Sequence, residues 1–140
     1  MPKLSLGFSL RRSPAGGLGV FASRSFRPGE TVLRWDCSRA LAPGEFDALP
    51  REERRFVAFA GGKHLLMVFP ERHVNHSCNA NTCIEARAYR GGVDVREVAV
   101  RAIRRGEEVT ADYAHSIPPG VVMECNCGLP QCRKVICREF

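Results

Sequence analysis

No stretch of the chain approaches the roughly 18 consecutive apolar residues that a membrane-spanning helix needs. Behind Met1-Pro2-Lys3-Leu4 there is no long apolar run either. No secretory signal is therefore read, and a soluble, intracellular protein is expected, cytoplasmic in a prokaryote and with the nucleus open to it in a eukaryote. Internal repeats and low-complexity tracts are missing as well, so repeat architectures are set aside. Acidic residues are outnumbered, 15 against 21 Lys and Arg, for a net charge of +6. The basic residues are spread along the chain, however, and neither a groove-reading helix nor an aromatic stacking motif accompanies them. Direct nucleic-acid binding is not expected, and a small zinc-stabilised nucleic-acid binder is the weakest of the readings kept open.

What is present fits one folded unit: 140 residues, 44% of them apolar and 26% charged, enough to bury a core but too short for two. Leu4, Leu6, Phe8 and Leu10 alternate with polar residues over Lys3–Leu10, which predicts a first strand with one buried face. Gly16-Gly17-Leu18-Gly19 follows, a turn whose glycines let another group come close. No long helix succeeds it, so it is no dinucleotide fingerprint. Arg27-Pro28-Gly29-Glu30 is a turn and Thr31–Trp35 a second strand. From 42 to 60 the character changes, with Pro50 placed to start a short helix, so a helical insert is expected there. Gly61-Gly62 closes it, and His64–Phe69 reads as a buried strand. Thr82–Tyr89 and Val93–Val100 flank Arg90-Gly91-Gly92 as a hairpin, and Arg104-Arg105-Gly106 turns again. The fold class is mainly β: several small sheets joined by Gly and Pro turns. No oligomeric state can be read from the pattern.

The chemistry concentrates in three places. Asn75-His76-Ser77-Cys78-Asn79-Ala80-Asn81 is a run of short polar side chains of the kind that folds into a turn, yet it carries a histidine and a thiol beside side-chain amides. Two later segments need it as a partner: Gly106–Tyr113, acidic and then tyrosine, and Cys125-Asn126-Cys127 with Cys132 beyond it. Seven cysteines is an odd count, with four in the last sixteen residues. That argues against a disulfide framework and for metal. Three closely spaced thiolates suit Zn²⁺ but leave one place of a tetrahedron open. Cys137 fills it locally; Cys78 or Cys83 fills it from the polar motif. His76 and His115 are weaker candidates.

Taken together, these segments resemble the SET-domain protein lysine methyltransferases. Asn75–Asn81 resembles the family's Asn-His-Ser-Cys-x-Pro-Asn, and Gly106-Glu107-Glu108-Val109-Thr110-Ala111-Asp112-Tyr113 its Gly-Glu-Glu-Leu-Thr-Phe-Asp-Tyr. Cys125-x-Cys127-x4-Cys132-Arg133 is similar to its post-SET zinc motif, and Gly16–Ala22 with Pro28-Gly29-Glu30 to its first strand pair. The resemblance implies a SET domain over 1–116, with the helical insert at about 42–60, and a zinc-binding post-SET segment over 117–140. It also implies a knot-like C-terminal threading that brings Asn75 to Tyr113.

The resemblance further implies S-adenosylmethionine as methyl donor, held by Gly16, Gly17, Leu18, Asn75, His76 (through its backbone), Tyr113 and Leu129. Tyr113 is the implied catalytic residue. Zn²⁺ is implied on Cys78, Cys125, Cys127 and Cys132, leaving Cys37, Cys83 and Cys137 as structural thiols. The implied partner is a protein bearing a target lysine, of histone or histone-like type, although a basic protein does not favour a basic tail. Ala80 replaces the family's Pro, Lys134 a common Gly, and Ala111 the Phe or Tyr that limits how many methyl groups fit. The tyrosine usual after the second strand is absent, with Trp35 nearby. A catalytically inactive SET module that only binds is the main alternative. For the reaction, a dry aromatic channel is expected, lined by Tyr113 with Phe56, Phe59 and Tyr89 as candidates. Glu107 and Glu108 are expected to cap a turn or face solvent, and Asp112 to orient Tyr113 or pair with an arginine.

Overall fold

The computed structural model describes residues 7–138. Eleven short strands follow in chain order: β1 (Phe8–Arg12), β2 (Leu18–Ala22), β3 (Thr31–Arg34), β4 (Val57–Ala60), β5 (Lys63–Leu66), β6 (Asn75–His76), β7 (Thr82–Tyr89), β8 (Gly92–Ala99), β9 (Glu108–Ala111), β10 (Met123–Glu124) and β11 (Val135–Ile136). Two single-turn helices, α1 (Glu45–Ala48) and α2 (Arg51–Arg54), lie between β3 and β4, and 3₁₀ turns form at Glu71–His73 and Tyr113–His115. The mainly β class is therefore observed. Phe8 and Leu10 of the expected first strand pack against the core, while Lys3, Leu4 and Leu6 lie outside the described residues. No helix among the described residues is long and apolar enough to cross a membrane.

Seven strands share the largest sheet, in the order β1-β2-β9-β7-β8-β3, with β6 joined to β9 from outside that path. The β7–β8 hairpin is in the expected place, pairing Thr82 with Ala99 through to Tyr89 with Gly92. Its turn uses Gly91 at a φ of 99°, a conformation that costs glycine nothing. On β8 the side chains alternate, and Val93, Val95 and Glu97 all fall on the inward face. Val95, Leu65, Ile103, Val20 and Val109 are essentially inaccessible and form the main core. A second, smaller core of Ala114, Ile117, Cys125 and Ile136 ties the C-terminal segment to Cys78 and Tyr113.

Two sequence expectations need correction here. The helical insert does not run to residue 60: Val57–Ala60 is a strand, paired with Lys63–Leu66 from Val57↔Leu66 to Ala60↔Lys63. Gly61 and Gly62 both take positive φ, 59° and 77°, which is what a two-residue hairpin demands. That hairpin outcompetes helix across the apolar Val-Ala-Phe-Ala. The strand expected over His64–Phe69 ends at Leu66, and Phe69 is 52% exposed.

The polar motif is fixed to β9 by pairing as well as by packing. β6 runs parallel to β9, setting Asn75 beside Thr110 and His76 beside Ala111. Asn81, 2% exposed, accepts the Thr110 N–H at 2.9 Å and donates to the Glu108 carbonyl at 2.9 Å. Its side chain thus replaces backbone partners that β9 would otherwise lack. Asn81→Ala should cost about 2–3 kcal/mol, since it orphans two buried backbone groups. Urea denaturation of the variant checks this.

Candidate functional site

The loop between β1 and β2 carries Gly16, Gly17 and Leu18 to the rim of an open cleft of about 1020 Å³, whose other walls include Asn75, Tyr113, Arg72 and Phe56. Gly16 and Gly17 take φ of 103° and 63°, so the loop bends in a way L residues resist. The Asn75 amide donates to the Leu18 carbonyl at 3.1 Å and to Glu108 Oε2 at 2.8 Å. The Ser13 hydroxyl donates to the same carboxylate at 2.8 Å. Glu107 does cap its turn, accepting the Arg104 N–H at 2.9 Å. Glu108 does not face solvent as expected: it is the tie between the glycine loop and the polar motif. Gly19 is small for that reason, because a Cβ there would sit 2.3 Å from Glu108 Oε2.

Five of the residues anticipated for a donor molecule, Gly16, Gly17, Leu18, Asn75 and Tyr113, therefore line one cleft. His76 and Leu129 lie outside that lining. The His76 ring accepts the Tyr113 N–H at Nδ1 (3.0 Å) and lies 3.4 Å from Cys78 Sγ at Nε2. Burial pushes its pKa down, so the ring is a neutral strut between cleft and thiols. Leu129 holds the cysteine loop, its carbonyl accepting the Cys132 N–H at 3.0 Å. Arg72 was not singled out in the sequence. It enters the cleft with its buried Nε–H unpartnered, while its other end pairs with Glu53 at 3.2 Å.

Tyr113, with Arg55, Met67 and Met123, also lines a second, partly open chamber bounded by Trp35, Glu71, Glu97, Ala111 and Ile117 among others. Its hydroxyl donates to the Val74 carbonyl, and burial raises its pKa, so the phenol stays protonated. Of the candidates for the dry aromatic channel, only one lies near it. Phe56 borders the cleft, but Phe59 packs edge-on against the His64 ring at 5.0 Å under the Arg138 guanidinium, and Tyr89 sits 59% exposed at the β7–β8 hairpin tip. Trp35 takes part instead, and two carboxylates complete the wall. Glu97, 1% exposed, accepts the Trp35 Nε1–H at 3.1 Å. Glu71, 2% exposed, accepts the Asp36 and Val68 N–H groups on Oε2 while its buried Oε1 has no partner. The alternation of β8 hides Glu97 in the sequence, because an inward position normally announces itself as apolar.

The thiols converge. Sγ atoms of Cys78, Cys125, Cys127 and Cys132 all lie within 4.8 Å of one another, with Cys78–Cys125 at 3.7 Å and Cys132–Cys125 at 3.6 Å. A tetrahedron of Zn–S bonds near 2.3 Å has edges of about 3.8 Å, so the donor set and its spacing fit zinc. Cys78 rather than Cys83 or Cys137 joins the cluster; Cys137 is exposed. The Leu129 N–H holds the Cys127 thiolate down to about 6, which readies that sulfur as a ligand. Asp112 takes the arginine option, accepting from Arg133 at 2.6 Å while capping the 3₁₀ turn through the Ala114 N–H at 3.0 Å.

Burial raises the Glu97 carboxyl from its ordinary 4.5 to about 7. Folding therefore takes up a proton between those values; the stabilisation is complete below about pH 4.5 and is lost as pH rises through about 7. Glu97→Gln removes that dependence. The stability of the variant relative to the unaltered chain should grow between about pH 4.5 and about pH 8, by on the order of 3 kcal/mol, in thermal melts at both ends.

The sequence profile of the SET domain matches residues 17–114. Histone-lysine N-methyltransferase trr of Drosophila melanogaster is 40% identical over 149 aligned positions, covering 89% of this chain and 6% of that protein. Histone-lysine N-methyltransferase ash1 of the same fly is 42% identical over 66 positions, 46% of this chain and 3% of that protein. ASHH3 of Arabidopsis thaliana, also named a histone-lysine N-methyltransferase, is 36% identical over 63 positions, 45% of this chain and 17% of that protein. This chain thus spans a small part of each of these longer relatives. The crystal structure of a Plasmodium falciparum protein described as a candidate histone methyltransferase superposes with a TM-score of 0.63 at 19% identity, over 80% of this chain and 96% of that one. It establishes likeness of fold.

Proposed function

Because this chain belongs to the SET-domain family, we propose that it transfers a methyl group from S-adenosylmethionine to the side-chain amine of a protein lysine. The observation that supports the reading is that Tyr113 lines two neighbouring spaces, an open cleft shared with Asn75 and the glycine loop and a chamber shared with Glu71 and Glu97. One compartment suits a donor and the other an amine. Residues 1–116 then form the SET unit and 117–140 the zinc-binding tail.

The residues present fit the donor. Gly16 and Gly17 leave open space where side chains would stand, and the unpartnered Arg72 Nε–H is a donor suited to a carboxylate. Gly16, Gly17, Leu18, Asn75, Arg72 and Tyr113 would hold it, with the backbone of His76 and the side chain of Leu129 nearby. S-adenosylmethionine supplies a methyl group made electrophilic by its sulfonium. The protein's part is alignment: the Val74 carbonyl fixes the Tyr113 hydroxyl, Glu108 fixes the Asn75 amide, and both are set before substrate arrives. A free lysine amine is almost wholly protonated at pH 7, its pKa being about 10.4, so it must also lose a proton before it can react. Ala111 lines the chamber, where a bulkier side chain would take up more of the space.

Zn²⁺ on Cys78, Cys125, Cys127 and Cys132 would close the tail against the polar motif. Met123, on that tail, borders both compartments.

Purified protein incubated with labelled S-adenosylmethionine and a panel of lysine-bearing proteins and histone-like peptides should transfer label. Tyr113→Phe and Asn75→Ala should each lower the rate roughly a hundredfold, the scale seen when one preorganised contact is removed. Equal rates would remove the mechanism, and the lack of any saturable S-adenosylmethionine binding would favour an inactive binding module. Elemental analysis should find about one zinc per chain, lost in Cys78→Ser and kept in Cys137→Ser.

A further inference from the structure

The feature that the reaction as described leaves unexplained is the pair of carboxylates in the chamber wall. Burying a carboxylate is costly unless each oxygen is paired, and Glu71 and Glu97 are the two largest polar side chains among the fully buried residues. Glu97 accepts the Trp35 Nε1–H at 3.1 Å and lies 3.5 Å from the Thr82 hydroxyl, whose own proton goes to the Thr110 carbonyl at 2.7 Å. On Glu71, a lining residue of the chamber, Oε2 is held by two backbone N–H groups, and Oε1 is buried without a hydrogen-bond partner. An orphan acceptor of that kind calls for a cationic donor that enters from elsewhere.

The other charged or titratable groups around the chamber do not supply it. Tyr113 from the 3₁₀ turn spends its hydroxyl on Val74, and Arg55, at the chamber edge, lies with its guanidinium over the Phe56 ring at 4.6 Å. On β8 itself, Arg96 turns the other way, to Glu85 at 3.5 Å. Trp35 from β3 and Thr82 from β7 are uncharged.

We propose that Glu71 and Glu97 together form the receptor for the amine that enters the chamber beneath Tyr113, attracting its ammonium form and taking its proton. This rests on the reading of the site as one that methylates an amine. In the step, one N–H bond of the ammonium breaks and its electron pair stays on nitrogen. The proton goes to a carboxylate oxygen, leaving a neutral carboxylic acid and a neutral amine. The raised pKa of Glu97 favours a proton acceptor that is half ionised near neutrality and discharges again once product leaves. A chamber of this kind also admits an amine that already carries methyl groups, since such an amine is still a cation.

The test separates the receptor from the reaction. The full chain, with S-adenosylhomocysteine present, is titrated with n-butylamine and with n-butanol, which match a lysine side chain in length and differ in charge. The unaltered chain should bind the amine roughly tenfold or more tighter than the alcohol, a modest demand on a close charge in a protein interior. Glu71→Gln with Glu97→Gln should abolish that preference while leaving the melting temperature at or above that of the unaltered chain, because the exchange removes buried charge and keeps shape. A merely structural role predicts a lower melting temperature and an unchanged preference. Equal binding of the two probes by the unaltered chain, or a preference that survives the double substitution, overturns the proposal. Should the double variant fail to fold, each single variant is titrated in its place. A preference lost as expected in a protein that labels no peptide would instead sink the methyl-transfer reading and leave the receptor standing.

Discussion

The site depends on one short stretch of pairing, the two residues of β6 lying parallel to β9. Asn75 and Tyr113 are 38 residues apart, and only this pairing sets the amide and the phenol beside the same space. The pairing is too brief to be stable alone, so side chains do the rest: Asn81 bonds to β9 twice, the Ser77 N–H reaches the Ala111 carbonyl at 3.1 Å, and the His76 ring takes the Tyr113 N–H. Asn81 and His76 supply side-chain partners that the backbone of β9 and Tyr113 would otherwise lack. Chemistry and folding are therefore served by the same seven residues.

The chamber shows the opposite economy. A small β-rich protein gains stability by excluding charge from its interior, yet here two carboxylates stand on inward positions that apolar residues would fill with less strain. Such a concession is found where function is at stake, and the polar pair lies against the one tyrosine that faces both compartments.

Much of this was legible beforehand, and the reasons are physical. Turns announce themselves through Gly and Pro, so the β7–β8 hairpin was placed correctly, while Gly61-Gly62, read as the close of the insert, is the turn of the β4–β5 hairpin. The cysteine cluster was readable because spacing confines where sulfurs can go, although the choice of Cys78 needed either the family pattern or coordinates. The helical insert was overextended because Val57–Ala60 is short and apolar, a pattern that helix and strand share until a partner strand decides. Arg72, Glu71 and Glu97 escaped notice, and Glu108 was expected to cap a turn or face solvent, for a common reason. Charged residues look like surface in a sequence, and only the register of β8 and β9 and the turn before β6 reveal that these four point inward or into the cleft. Tyr89 erred the other way: an aromatic beside a glycine turn looked like a wall and proved to be the exposed end of a hairpin.

The four sulfurs draw together residue 78 and the stretch 125–132, and the stretch carries with it a small core of Ile117, Cys125 and Ile136. Met123 rides on this unit and forms part of the boundary of both compartments. The two cavities thus share one lining residue carried by the sulfur cluster beside Tyr113, which the main sheet positions. Were Zn²⁺ held there, the stiffness of that boundary would be inherited from its coordination sphere, with no contact between a bound ligand and the ion.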